Sequence, residues 1–221
     1  MNFKSRKDIV FIVLAGFFVT NTIVAELIGG KLSQFFGTFT QSVGIVLWPF
    51  VFLLTDLINE HFGKNGVKKL TFITIGLIIY TYLFLTLAIN IPATNFSPVS
   101  DLNFKIIFGQ SQWIIIGSII AFLFSQLVDV YIFWLFRNKT GNKLIWLRAT
   151  GSTVVSQLID TFVVQFIAFV IPGVWSFNTL LVNASWGYVF KLILAICIIP
   201  LIYLLHGLIN KYLEKETSEI K

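Results

Sequence analysis

The chain has 221 residues, of which 57% are hydrophobic and 12% charged, with a mean hydropathy of +0.87 and a net charge of +6. A soluble domain carries roughly a quarter charged residues, so half that number cannot cover a water-facing surface and the surroundings must be largely hydrocarbon. This length predicts a single compact membrane domain over residues 1–221, without a soluble partner domain.

A span needs about 20 mostly apolar residues. Six stretches qualify: 9–30, 41–61, 67–90, 112–136, 149–171 and 184–207. The expected fold is therefore all-α, a polytopic membrane protein with six transmembrane helices. The first stretch has no small-residue cleavage site after its apolar run and reads as a retained helix, not a signal peptide.

Basic residues set the orientation. Thirteen Lys and Arg fall at the N-terminus, in the 2–3 and 4–5 loops and in the tail, among them Lys4, Arg6, Lys64, Lys68, Arg137, Lys143, Arg148, Lys211 and Lys221. Only Lys31 and Lys105 fall on the opposite side. Both termini are expected in the cytoplasm. The positive charge follows from this bias toward anionic lipid and is no sign of nucleic acid.

The longest loop, residues 90–110, has two prolines and little periodicity and is expected on the external face as a partial lid. The 5–6 loop around "PGVWSFNTLLVNAS" carries no charge. "SQLVD" at 125–129 recurs as "SQLID" at 156–160, one copy on a descending and one on an ascending span, as inverted-repeat transporters arrange them. Cys197 is alone, His61 and His206 lie far apart, and neither a zinc-ligand spacing nor a Gly-rich phosphate loop is present. No cofactor is expected.

The polar residues of the spans fall on faces. With i, i+3 and i+4 neighbours on one side of a helix, Phe52, Asp56, Asn59, Glu60 and Gly63 share an arc of the second span. Ser118, Ser125, Gln126 and Asp129 line the fourth, and Ser152, Thr153, Ser156, Gln157 and Asp160 the fifth. Thr22 and Glu26 share a face of the first, with Asn21 well round from them. A charge at the bilayer centre costs about 2.5–3.5 kcal/mol on insertion scales. Several acids must then face one another, a cation or a wet cavity, and all stripes turned inward would enclose one central polar site. Structural alternatives place Glu60 at the cytoplasmic boundary beside Lys64 and pair Asp129 with Arg137 or Lys191. Trp48 lies near the face of Asp56, and Lys191 stands about two turns inside the sixth span.

"TDLINEHFG" at 55–63, following a Trp-Pro, resembles the first motif of the queuosine precursor transporter family. "LRATGSTVVSQLIDTFVVQFIAF" at 147–169 resembles its second. The resemblance implies uptake of 7-cyano- and 7-aminomethyl-7-deazaguanine across the bacterial inner membrane, by a transporter and not an enzyme. By motif position it implies substrate contacts from Asp56, Asn59 and Glu60, and from Arg148, Ser152, Gln157 and Asp160. Asn21 and Lys31 match a looser N-terminal pattern. Ser156, Phe52, Gln126, Asp129 and Glu26 join the candidate site by their places on the stripes. The chemistry is compatible: a carboxylate accepts adjacent N–H and NH₂ donors as a charge-assisted pair, amides complement the remaining groups, and an aromatic ring stacks on a flat base. The partners expected are a small deazapurine solute and the lipid bilayer, with a homo-oligomer as one assembly. The competing reading is the substrate-binding subunit of an energy-coupling-factor importer, which would need partner ATPase subunits. A di-aspartyl intramembrane protease using Asp129 and Asp160 would need sequence contexts that are missing here.

Overall fold

The computed structural model describes residues 5–109, 112–140 and 144–219, with side chains through residue 214. Lys4, Lys143 and Lys221 of the basic count lie outside the described residues. Helix α1 (Arg6–Leu27) opens on Ser5, whose hydroxyl accepts from the Lys7 backbone N–H at 3.1 Å, a serine cap that satisfies one of the free donors of the first turn. Strands β1 (Leu32–Phe35) and β2 (Phe39–Ser42) pair antiparallel and lead through a 3₁₀ turn, Val43–Val46, into α2 (Trp48–Ile89). Then come α3 (Asp101–Phe108), α4 (Gln112–Thr140), α5 (Ile145–Gln165) with a π-helical turn at Phe166–Val170, α6 (Phe177–Cys197) and α7 (Ile199–Glu219).

Among the described residues five helical stretches are long and apolar enough to cross a membrane. The chain is thus an all-α, polytopic membrane protein. The stretch containing α2 covers both the second and third expected spans. As one rod, α2 would extend about 63 Å, twice the hydrocarbon thickness of about 30 Å. It is broken at Gly63, with φ 73° and ψ 173°, a conformation open essentially to glycine alone. Trp48 shares a cavity wall with Glu26, while the Tyr82 hydroxyl lies 3.5 Å from the Glu26 carbonyl oxygen. Residues from both arms therefore return to one place on α1. At the other end Phe62 packs edge-on against Phe11, with ring centroids 5.0 Å apart. The two arms, 48–62 and 64–89, form a hairpin folded at Gly63.

Other boundaries differ from expectation. The sixth stretch begins at Phe177, not 184, because Ser176 caps it by accepting from Thr179 N–H at 3.1 Å. It passes at Ile198 into α7, which carries Pro200 near its start. Loop 90–110 holds α3, again capped by a serine, Ser100. The β-hairpin at 32–42 had no counterpart in the hydropathy pattern.

Small residues set how closely the helices approach. A methyl group at Gly117 of α4 would stand 3.1 Å from the Val164 carbonyl oxygen of α5, and one at Gly151 of α5 would press on the Phe136 ring. The apolar core joins Phe18 of α1, Leu57 and Ile58 of α2 and Phe122 of α4. Large apolar side chains such as Phe72, Leu83, Phe124 and Ile193 face outward, as lipid solvent permits.

Candidate transport site

The polar stripes meet. Arg148, Ser152, Ser156 and Asp160 recur every fourth residue along one face of α5, over about 18 Å of helix, and all four are buried. Each has a partner on a neighbouring helix. The Arg148 guanidinium donates to Glu60 Oε2 of α2 at 2.7 Å. Ser152 lies beside both Asp56 and Asp129. Ser156 donates to Asp129 Oδ1 of α4 at 2.9 Å. Asp160 accepts from Lys191 Nζ of α6 at 2.8 Å and from Ser125 Oγ of α4 at 3.4 Å. Thr55 Oγ1 of α2 and Gln126 Oε1 of α4 are 3.1 Å apart, the hydroxyl donating. The result is an inner ladder of acids, hydroxyls and cations joining α2, α4, α5 and α6.

These pairings decide between the alternatives left open by spacing. Glu60 bonds Arg148 and, at 3.4 Å, Arg137, so it is neither lipid-facing nor simply solvated beside Lys64. Lys191 goes to Asp160, not Asp129. Phe52 is buried one turn from Asp56, beside a small cleft shared with Pro49 and Ile202. Asn59 and Gln157 are buried, and both amide atoms of Asn59 and Oε1 of Gln157 have no hydrogen-bond partner. Asn21 stands apart: it is half-buried and its amide donates to Phe17 O of its own helix at 2.8 Å. Lys31 is exposed at the start of the β-hairpin.

A cavity of about 80 Å³ lies beyond Asp160, toward the end of the molecule that holds the β-hairpin. Glu26, Asp160 and Lys191 bring charge to it, Gln41, Ser118 and Gln165 bring neutral polar groups, and Trp48, Phe169 and Trp175 bring rings. Gln165 Nε2 donates to Gln41 Oε1 at 3.1 Å, and Gln41 Nε2 donates to Asn183 O at 2.6 Å. Gly187 makes this possible, because a side chain there would occupy the place of the Gln41 amide. Phe169 and Trp175 stack with centroids 4.2 Å apart. Thr161 Oγ1 and Gln165 Oε1, both buried, have no partner. Buried polar atoms are nearly always satisfied, so atoms left open beside a cavity suit a polar occupant.

Sequence reasoning missed Gln41, Gln165, Phe169 and Trp175. Gln41 lies on a strand at the edge of an expected span, where no helical stripe could include it. Gln165 is one turn beyond Thr161, and extending the α5 stripe would have reached it. The groups of the whole site can offer hydrogen bonding, charge pairing and ring stacking to a small polar occupant.

Comparison with known proteins identifies the family. A family model described as a putative vitamin uptake transporter matches residues 42–205. A Bacillus subtilis (strain 168) protein named probable queuosine precursor transporter is 32% identical over 184 residues, 82% of this chain and 78% of that protein. The Escherichia coli (strain K12) queuosine precursor transporter is 26% identical over 191 residues, 82% of this chain and 80% of that one. A Haemophilus influenzae probable queuosine precursor transporter is 29% identical over 133 residues, 60% of this chain and 53% of its own length. No solved structure matches. With a polar site enclosed by apolar helices, a family match across most of its length and relatives carrying that name, the chain belongs to the queuosine precursor transporter family, a family of membrane transporters and not of enzymes.

Proposed function

We propose that this protein takes up queuosine precursors, 7-cyano- and 7-aminomethyl-7-deazaguanine, across the bacterial inner membrane. Six crossings with both termini in the cytoplasm accommodate the helices, counting the arms of α2 as two and α6 with α7 as one. The cavity beside Asp160 then opens toward the external face. The observation that carries the reading is that cavity: acids, an amide and a hydroxyl with open hydrogen-bonding positions, Gln165 Oε1 and Thr161 Oγ1, and aromatic rings meet at the head of a polar ladder that continues inward.

Recognition follows from the groups present. Glu26 accepts the adjacent N–H and NH₂ donors of the pairing edge as a charge-assisted pair. Gln165 and Gln41 complement the carbonyl and the remaining donors. Trp48 or the Phe169–Trp175 stack covers the flat ring, at about 1–3 kcal/mol per stacked base. Asp160 receives the ammonium of an aminomethyl substituent. Asp56, Asn59, Glu60, Gln126, Asp129, Ser152, Ser156, Gln157 and Arg148 line the inward continuation, with Phe52 at its side.

The test is uptake of labelled 7-cyano-7-deazaguanine by a bacterial strain that lacks its own transporter and expresses this chain alone. Accumulation above the empty-vector level supports the proposal, and its absence with the protein present in the membrane refutes it. A requirement for co-expressed ATPase subunits would transfer the chain to the binding-subunit class. Reporter fusions after Leu102 and Asn178 are expected to read external and one after Thr140 cytoplasmic. A cytoplasmic signal at Leu102 would overturn the orientation.

A further inference from the structure

The inner ladder contains two acids whose charge the fold does not balance. Lys191 pairs with Asp160, and Arg148 with Glu60. Asp56 and Asp129 are buried and form no ion pair among the described residues. The two carboxylates, on α2 and α4, are close enough to repel each other, and Ser152 lies beside both. One oxygen of each, Asp56 Oδ1 and Asp129 Oδ2, has no hydrogen-bond partner.

A second observation points to an occupant. Gln126 Nε2 and both amide atoms of Asn59 are also without partners, and each residue lies within one helical turn of one of these acids on its own helix. Two unpaired carboxylates side by side in a low-dielectric interior repel strongly, and an ionised acid buried without compensation is among the costliest groups a fold can hold. Something positive must reside there for at least part of the working cycle.

The shape of the cluster selects the ion. A metal ion needs oxygens converging on one point. Here the acids are strung along the α5 stripe, Asp160 opposite Ser125, Asp129 opposite Ser156, Asp56 near Ser152 and Glu60 on Arg148. A proton needs a single oxygen, and a serine hydroxyl can donate to a carboxylate or accept from a carboxylic acid. The same serines therefore serve both charge states. The charged groups facing the pair are Glu60 from α2 and Arg148 from α5. At the adjoining cleft Ala195 of α6, Ile198 at the junction and Ile202 of α7 are apolar.

We propose that Asp56 and Asp129 form an inner proton-binding pair that couples solute movement to proton movement. One carboxylate takes a proton arriving from the cavity side and becomes a neutral carboxylic acid. It returns that proton toward Glu60 and the cytoplasmic end, which regenerates the carboxylate. Coupling rests on the transport function proposed above; proton binding by the pair does not.

The experiment uses the full chain in liposomes and the carboxyl reagent N,N′-dicyclohexylcarbodiimide, which modifies protonated acids in apolar surroundings. Adducts are located by peptide mass. The expected label sits on Asp56 or Asp129, falls about tenfold per pH unit on the alkaline side, and is the same in sodium and in choline buffer. Ser156→Ala keeps every carboxylate and removes a hydrogen bond to Asp129, so it should move the pH at which labelling falls. Protection by sodium, absence of label at acid pH, or an unmoved curve in Ser156→Ala overturns the proton pair. In the same liposomes, uptake of 7-cyano-7-deazaguanine should make the external medium more alkaline, and a protonophore should abolish accumulation. Uptake without proton movement overturns coupling. A pH-dependent label without any uptake refutes the substrate assignment while the proton pair stands.

Discussion

The outer cavity and the inner ladder draw on the same residue types but use them differently. In the cavity, Gln41 and Gln165 hold each other in place while Gln165 Oε1 and Thr161 Oγ1 stay open beside free space, and rings form much of the wall. In the ladder, charged and hydroxyl groups on different helices bond one another: Arg148 to Glu60, Ser156 to Asp129, Lys191 to Asp160. A polar group that faces space contributes to binding, whereas one that closes onto another helix contributes to assembly. Losses in the cavity should therefore weaken transport more than stability, and losses in the ladder should reach the fold first. Asp160 belongs to both regions and should show both effects.

The largest expected effect is at Asp160. Asp160→Asn leaves the Lys191 ammonium buried without its counter-charge, and breaking such a pair costs about 3–5 kcal/mol. Thermal unfolding in detergent should fall markedly, and uptake should vanish. The double variant Asp160→Asn, Lys191→Met should regain most of the stability and stay inactive. A double variant that transports would confine Asp160 to assembly and remove it from the site.

Gly63→Ala comes next, placing a Cβ where the backbone has φ 73°. The strain should be about 1–3 kcal/mol, seen as a lower unfolding temperature. Since Gly63 folds α2 back, this variant tests the hairpin apart from either polar region. Unchanged stability would mean that the break lies elsewhere.

Within the cavity, Gln165→Leu removes an amide that bonds Gln41 and keeps an open acceptor. Loss of one substrate hydrogen bond, at about 1.4 kcal/mol, is a tenfold change in affinity. The concentration for half-maximal uptake should rise by about that factor, while the unfolding temperature falls much less than in Asp160→Asn, by the loss of the single bond to Gln41. A fall in stability without a change in affinity would place Gln165 with the ladder.

The smallest expected effect lies in neither region. Ser176→Ala removes the cap of α6, at about 1 kcal/mol. The expected result is a slightly lower unfolding temperature with uptake unchanged. A transport defect there would show that the α6 entry bears directly on the cavity.

The sequence by itself determined that the chain lives in lipid, approximately where its apolar stretches run, and which face of α5 is polar. Composition and helical period are local properties, so Ser152, Ser156 and Asp160 could be seen in register before any packing was known. The stripe on α2 that holds Asp56, Asn59 and Glu60 was legible for the same reason. Arg148, in contrast, counts by sequence as a basic residue of the 4–5 loop and joins the candidates only through the motif resemblance; the structure places it inside α5 and fully buried. Only the tertiary structure decided the partners. Arg148 meets Glu60 across 88 positions, Gln165 meets Gln41 across 124 and Lys191 meets Asp160 across 31. The division of the polar residues into a cavity and a ladder was likewise invisible, because it depends on where helices leave space. Close contact at Gly117 brings α4 onto α5, whereas the β-hairpin and the Phe169–Trp175 stack border the gap above Asp160. A one-dimensional period reports which way a side chain points, and the packing of other helices decides whether it meets a partner or a void.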